Sequence, residues 1–543
     1  MVTSPKVGVI GGGIAGLSCA ARLQELGLSV TLYDTGKRGP GGRASSRLWN
    51  GKLPVDHAAQ VAEARTAPFS ALLASLEKEG KAKRLADDAV TVLKAPGVAT
   101  SLGNDAIPRY IGVGGMGAIA DALAAGLDDV RTDVWVSPNG GIRRNSGDGT
   151  WLVKEGKGVE SRYDAVVIAH NGKCAERLTS RQPSTAVHAL LRTKFAPQAP
   201  KQPSAGSGRM TLNSIYSLLF EVPCGVMPAD SLGAVNFVDC EPTLKLLANN
   251  NAKHAAEGGA DARTEVWTVL SSGTFGKAHK AAQEFIEGSE VEEKVTKLML
   301  SAVGRAVGLD EGRLNPERVV ASKLQLWGAA VPVTAWTGGP FAWDADSTIG
   351  IVGDWLVPAD AVEGDGGANA APSTIESAWL SGQALAEHVA DGERRSKSYG
   401  LELGKGGGQF TPVGAGGFGE AGSMGAAAWV APLEKTASER GRSSTPTKSR
   451  RSPPRAPSAV DNDQLFVRNV PYAVSEEDVQ QHFGVVGKVV FVKLLQGADG
   501  RPRGQARVRM KSPEEAKAAL ALDGREFGGR VLKVQADERR NVG

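Results

Sequence analysis

The sequence predicts an α/β fold on a doubly wound parallel sheet, interrupted by an inserted α+β region. After a low-complexity tether it predicts a small α+β unit of βαββαβ order. Three observations carry this reading. A glycine-rich turn joins the first apolar strand to a helix, a second apolar strand near residue 350 ends in Gly-Asp, and periodicity stops at about 393 and returns at about 463. The first strand, Lys6-Val7-Gly8-Val9-Ile10, runs into Gly11-Gly12-Gly13-Ile14-Ala15-Gly16. A helix over 14–27 and a strand Val30-Thr31-Leu32-Tyr33 ending on Asp34 follow. In such an order Gly11 permits the tight turn, Gly13 lets the backbone approach a pyrophosphate, and Gly16 lets the helix pack closely on the sheet. The helix N-terminus, including Ile14 and Ala15, presents amides to the phosphates, and Asp34 is placed to accept hydrogen bonds from ribose hydroxyls. The pattern therefore predicts a bound dinucleotide.

Seven residues after Asp34, Gly41-Gly42-Arg43 supplies a second close-approach glycine pair and a guanidinium that can fork onto phosphate oxygens. Ile349-Gly350-Ile351-Val352-Gly353-Asp354 is a short strand ending in an acid, and a helix begins near Ser373-Thr374-Ile375. The N-terminus of that helix would favour an anion. Together these segments resemble the flavin oxidoreductases of the amine oxidase type, most closely their renalase-like branch. The resemblance extends to Asp56-His57-Ala58-Ala59-Gln60 with Ala64-Arg65, and to Gly112-Val113-Gly114-Gly115-Met116. It covers roughly residues 6–390 and is thinnest between about 185 and 320.

The resemblance implies a Rossmann-type FAD/NAD(P)-binding domain with FAD as cofactor. It puts Gly353 and Asp354 at the ribityl chain, and Val134 where related flavoproteins contact adenine through the backbone. It implies hydride transfer from a small amine or dihydronicotinamide-type substrate to the flavin, with oxygen as acceptor. The chain departs from the family after Gln60, where Val61-Ala62 replaces aromatic residues, and at Ala58, which replaces a glycine. The substrate and the catalytic residues therefore stay open. His57, beside Asp56, reads as either a base near the flavin or a hydrogen-bonded structural histidine.

Composition agrees with a large protein carrying an extra module. Its 543 residues suggest three to four domain-sized units, and 41% apolar content suffices for buried cores. No apolar run reaches the roughly 18 residues of a membrane span, and the start shows no secretory leader. Cys19, Cys174, Cys224 and Cys240 lack metal or CxxC spacing, so reduced thiols in a cytoplasmic or nuclear protein are expected and no metal site is. The oxidoreductase is expected over 1–392, with nucleotide-binding parts at about 1–70, 105–175 and 320–392 and substrate-domain parts at about 71–104 and 176–319. Within it, the Gly, Ala and Pro-rich stretches 196–208 and 248–263 read as surface insertions.

Residues 393–462 read as a disordered linker, Gly-rich and then basic, because such a composition cannot repay its ordering entropy. Its basic tract around Lys448–Arg455 reads as spacer, nucleic-acid contact or nuclear import signal, and Thr445-Pro446 and Ser452-Pro453 as phosphorylation sites. Over 463–538 come strand 465–470, a Ser475-capped helix 475–483, strands 488–494 and 503–510, helix 513–522 and strand 530–536. This resembles an RNA recognition motif and implies single-stranded RNA as a partner. Phe466 matches one stacking position, whereas the other two are Gln505 and Arg507. Arg468, Asn469 and Arg503 complete the expected RNA face, the cations serving phosphates. Two functions remain open on sequence alone: a flavin oxidoreductase coupled to an RNA-binding module, or an RNA-binding protein whose flavin domain is regulatory or inactive. A protein-interaction role for the C-terminal unit also stays open.

Overall fold

A computed structural model describes residues 5–413 and 463–536, except 102–106, 157, 199–208, 255–262, 282–285, 359–371, 405–406, 473, 497–501 and 529. The chain divides into two units, Met1–Pro432 and Leu433–Gly543. In the first, a six-stranded sheet has the order Val130–Arg131, Ser29–Tyr33, Lys6–Ile10, Ala165–Ile168, Ile349–Ile351 and Ala342–Asp344. All neighbours are parallel except the last pair. The strands are short, apolar and β-branched because both faces are covered; Val7, Val9, Val166 and Val167 are fully buried.

On one face the Ile14–Glu25 helix crosses the Ile375–Ala390 helix. Gly382 makes this approach possible, because a Cβ there would sit 2.7 Å from the Cys19 amide nitrogen and against the Ala15 carbonyl. Ser18 Oγ donates to the Trp379 carbonyl at 2.7 Å and locks the crossing. The edge strand is only Val130–Arg131, and Asp133 beyond it adopts positive φ.

The inserted region is a seven-stranded sheet of the order Ala321–Trp327, Ile215–Pro223, Thr264–Ser271, Leu244–Asn249, Val235–Val238, Val90–Ala95 and Val98–Ser101. The amphipathic Glu290–Ala306 helix packs on it through Val295, Met299, Leu300 and Val303. The reading of 248–263 as a surface insertion is corrected here. Residues 244–249 are a core strand, and the Asn250–Lys253 turn of helix carries Asn250, Lys253 and His254 into full burial. Residues 199–208 of the other stretch, and 255–262 of this one, lie outside the described residues.

A second correction concerns the start of the linker. Residues 392–395 form a helix, and Phe410–Pro412 pairs with Thr334–Trp336, burying Phe410 against Trp336 and Trp355. Three aromatic rings offset the ordering cost that the Gly-rich composition alone would not. Residues 414–462, with Thr445, Ser452 and the basic tract, lie outside the described residues.

The second unit is a four-stranded antiparallel sheet of the order Val489–Gln496, Pro502–Met510, Gln464–Arg468 and Lys533–Ala536. Two helices, Glu476–Gly484 and Pro513–Ala519, cover one face over a core of Leu465, Val467, Phe483, Val508 and Met510. Ser475 caps the first helix in a capping box with Asp478.

Candidate functional site

At the C-terminal edge of the parallel sheet lies a cleft of about 490 Å³, where ligands bind in doubly wound folds. Its wall begins at the glycine turn. Gly11 has φ +115°, and a Cβ there would meet the Ala169 backbone at 3.0 Å; Gly16 is closer still, since a Cβ would run into the Gly11 carbonyl oxygen. Gly13 differs from both. A Cβ at Gly13 has no protein atom within 4 Å, and Gly13, Ile14 and Ala15 line the cleft. Gly11 also lines it; Gly16 holds the turn against the helix and does not.

Asp34 stands on the same wall, with Oδ2 accepting from the Gly12 amide at 2.9 Å and Oδ1 from the Gly36 amide at 2.7 Å. Burial pushes its carboxyl up, against the pull of those two amides. Gly41 donates to the Gly12 carbonyl, so the second glycine pair is stitched to the first. Gly42, at φ +55°, and Arg43 follow along the cleft. Arg43 Nη1 lies 2.7 Å from Asp354 Oδ2 and donates to the Ala330 carbonyl at 3.1 Å. Two residues expected to touch different parts of one ligand are thus direct neighbours. Val134 lines the cleft, with its amide donated to the Asp34 carbonyl at 2.9 Å. Gly353 lies there as well, its amide held by Ser381 Oγ at 3.0 Å.

The Ile375–Ala390 helix brings its N-terminus to the cleft through Thr374 and Ile375, with a Thr374–Ser377 capping box. Glu376 faces away from it; its carboxylate accepts from the Thr66 amide and hydroxyl, each at 2.7 Å. Burial raises the Glu376 carboxyl, and these donors oppose the rise.

Sequence reading missed His170, Trp135 and Trp327, which also line the cleft. His170 had a usable signal, because it follows the Ala165–Ile168 strand at the sheet edge where ligands sit. Its Nδ1 is 3.2 Å from the Ile10 carbonyl, and burial lowers its pKa. His57, by contrast, is absent from the cleft wall. It is buried, stacks on Trp327 with ring centres 5.6 Å apart, and is pushed down to about 3 by burial and by the Arg47 charge. The ring stays neutral near pH 7 and is too weak a base to take a proton there.

Behind the cleft the Asp-His-Ala-Ala-Gln segment holds a buried ion pair that the sequence did not reveal. Lys253 Nζ is 2.5 Å from Asp56 Oδ2 and 3.0 Å from Gln60 Oε1. Asp56 Oδ1 accepts from Ser46 Oγ at 2.5 Å and from the Met116 amide at 2.8 Å, which is why the turn before Met116 carries glycines. His254 Nε2 lies 3.7 Å from Asp56, and Asp56, Lys253 and His254 are fully buried. Burial alone would raise the Asp56 carboxyl. Lys253 and His254 outweigh it and hold the group below the usual carboxylate range.

The C-terminal unit places Phe466, Arg468, Gln505 and Arg507 on one sheet face. Phe466 pairs with Arg507, and Arg468 with Gln505, while Leu465, Val467, Ala506 and Val508 point into the core. The Arg468 guanidinium lies over the Phe466 ring at 5.4 Å. Asn469 has a positive φ, and its side chain donates to the Val531 carbonyl at 2.9 Å, tying two strand ends. The Arg503 side chain lies outside the described ones.

Comparison with known proteins follows this division. Residues 9–76 match the family model of a NAD(P)-binding Rossmann-like domain, and residues 465–533 that of the RNA recognition motif. The first unit therefore carries a Rossmann-like domain at its N-terminus and the second an RNA recognition motif. Over 83 residues the chain is 43% identical to Polyadenylate-binding protein 2 of Arabidopsis thaliana, covering 15% of this chain and 37% of that protein. Over 114 residues it is 33% identical to Nucleolin 2 of Oryza sativa subsp. japonica, covering 20% of this chain and 16% of that protein. The chain thus spans well under half the length of these relatives. A solved structure described as a putative protoporphyrinogen oxidase from Exiguobacterium sp. 255-15 aligns with 72% of this chain and 99% of its own, at 12% identity and a TM-score of 0.48. Among the described residues no helix is long and apolar enough to cross a membrane, and no cluster of metal-ligating side chains occurs.

Proposed function

We propose that the first unit binds FAD non-covalently and is an oxidoreductase acting on a small amine or dihydronicotinamide-type substrate, and that the second unit binds single-stranded RNA. The observation that carries the cofactor reading is one cleft shared by segments from opposite ends of the unit: Gly11–Ala15, Asp34, Gly42-Arg43 and Gly353-Asp354. A nicotinamide dinucleotide would need only the first half of this set, which both cofactor classes share. The cleft fits a dinucleotide, because the opening beside Gly13 is space that a side chain would fill and its walls offer backbone amides and a cation.

When bound, FAD would supply a hydride acceptor, and oxygen would take up the electron pair together with one proton from the substrate and one from solvent to give hydrogen peroxide. The chain's own residues bind and orient. Gly13 would admit the pyrophosphate, Asp34 would accept from the ribose, Arg43 would offer its guanidinium to phosphate oxygens, Asp354 would accept from the ribityl hydroxyls, and the capped helix end at Thr374 would favour negative charge on the flavin. No described residue of the cleft is assigned a proton-transfer role, and with His57 held neutral the expected chemistry is one of positioning.

The test is the released cofactor of the purified full-length protein. FAD is expected in stoichiometric amount in the unmodified chain and in reduced amount in Asp34→Ala. Full occupancy in Asp34→Ala, or a colourless unmodified protein that takes up no added FAD, would overturn the reading.

A further inference from the structure

We infer that Phe491 is a second base-stacking platform on the sheet of the C-terminal unit, one strand beyond Pro502–Met510, whose expected stacking positions are Gln505 and Arg507. This rests on the RNA reading above. In a regular strand residues two apart share a face, so Phe491 would join Val489 in the core. Val489 and Val492 are both buried, however, and the ladder shifts register between Val489 and Phe491.

That irregularity reverses the alternation. Phe491 pairs with Arg509 and Lys493 with Arg507, and paired residues project from the same side of a sheet. Phe466 also pairs with Arg507, so both rings belong to one face. Bulges at sheet edges commonly re-aim a side chain, and here the re-aimed side chain is the large apolar one. Phe491 is left 53% exposed, at a cost in unburied apolar area that a ligand would recover.

The surroundings select the ligand. Lys493, Arg507 and Arg509 flank the ring, so its occupant carries negative charge as well as a flat apolar face. Arg509 is partly engaged, with Nε on Asp463 at 2.8 Å. A nucleic acid strand has both properties in alternation. Two strand spacings and two residues along the sheet separate Phe466 from Phe491, about 12 Å between backbone positions. One base cannot touch both. The two rings therefore take two bases of one strand, with Arg507 beside the first ring and next to the phosphates between them.

The experiment titrates the full-length chain with short labelled single-stranded RNA pools at two salt concentrations. Phe491→Ala should weaken binding about 5- to 150-fold, the range for loss of one stacked base, with the salt slope unchanged because no charge is removed. Phe491→Trp should restore binding. Unchanged affinity in Phe491→Ala, while Phe466→Ala weakens it, would overturn this inference and leave the RNA reading intact. A flattened salt slope in Phe491→Ala would also overturn it, showing disturbance of the cationic face instead of lost stacking. No binding by the unmodified chain at low salt would overturn the RNA reading itself, and would leave the exposed ring to a protein contact.

Discussion

Lys253→Met tests the buried pair behind the cleft, because the substitution keeps the length and apolar stem of the side chain and deletes only its charge. Asp56 would then be a carboxylate with no exposed surface, retaining Ser46 Oγ and the Met116 amide as donors but losing the ammonium at 2.5 Å. Removing one partner of such a pair costs about 3–5 kcal/mol, a large share of the roughly 5–15 kcal/mol that holds a domain together. The pH dependence is the sharper signature. In the unmodified chain Asp56 is held below its usual range, so its contribution is present above about pH 4, the ordinary carboxylate value, and is lost only as pH falls through the depressed folded value. Stability from this group is flat between pH 8 and 5.

In Lys253→Met burial acts with less opposition and raises the carboxyl, so the variant's deficit relative to the unmodified chain should narrow as pH falls from 8 toward 5. Asp56→Asn combined with Lys253→Met removes both charges and should cost less than Lys253→Met alone. Urea unfolding followed by tryptophan emission reads this directly, since nine of the ten tryptophans lie among the described residues of the first unit and none falls in the second. A loss below about 1 kcal/mol at pH 8, with no narrowing of the deficit toward pH 5, would refute the reasoning.

Two glycines of the same motif should separate fold from ligand. Gly16→Ala drives a Cβ into the Gly11 carbonyl and should lower the unfolding midpoint, whereas a Cβ at Gly13 has no protein atom within 4 Å, so Gly13→Val should leave the midpoint near that of the unmodified chain while abolishing ADP binding by calorimetry. The thiols give an independent probe of the cleft. Cys174 lines it and is exposed, so saturating ADP or FAD should slow its alkylation, while exposed Cys224, outside the cleft, should react at an unchanged rate by mass spectrometry. Cys19 is buried and its thiol is pushed up by burial, so it should stay unlabelled in the native protein.

The parts of the cleft legible in the sequence are those written in adjacent residues. A positive φ at Gly11, a close approach at Gly16 and an acid at the end of the next strand are local steric demands, and only certain residue types meet them. The βαββαβ order and the Ser475 cap were legible for the same reason. What tertiary structure decided depends on partners far apart. Nothing near Lys253 announces Asp56, because burying an ammonium is tolerable only when a carboxylate arrives from another element, and the small polar residues around 250 look like any surface stretch. The linker start failed similarly, since Phe410 is ordered by Trp336 and Trp355, two rings far back in the chain. The side on which Phe491 emerges was likewise undetermined. Sequence sets the alternation of a strand, but one register shift against a neighbour inverts it, and that shift exists only once the two strands are paired.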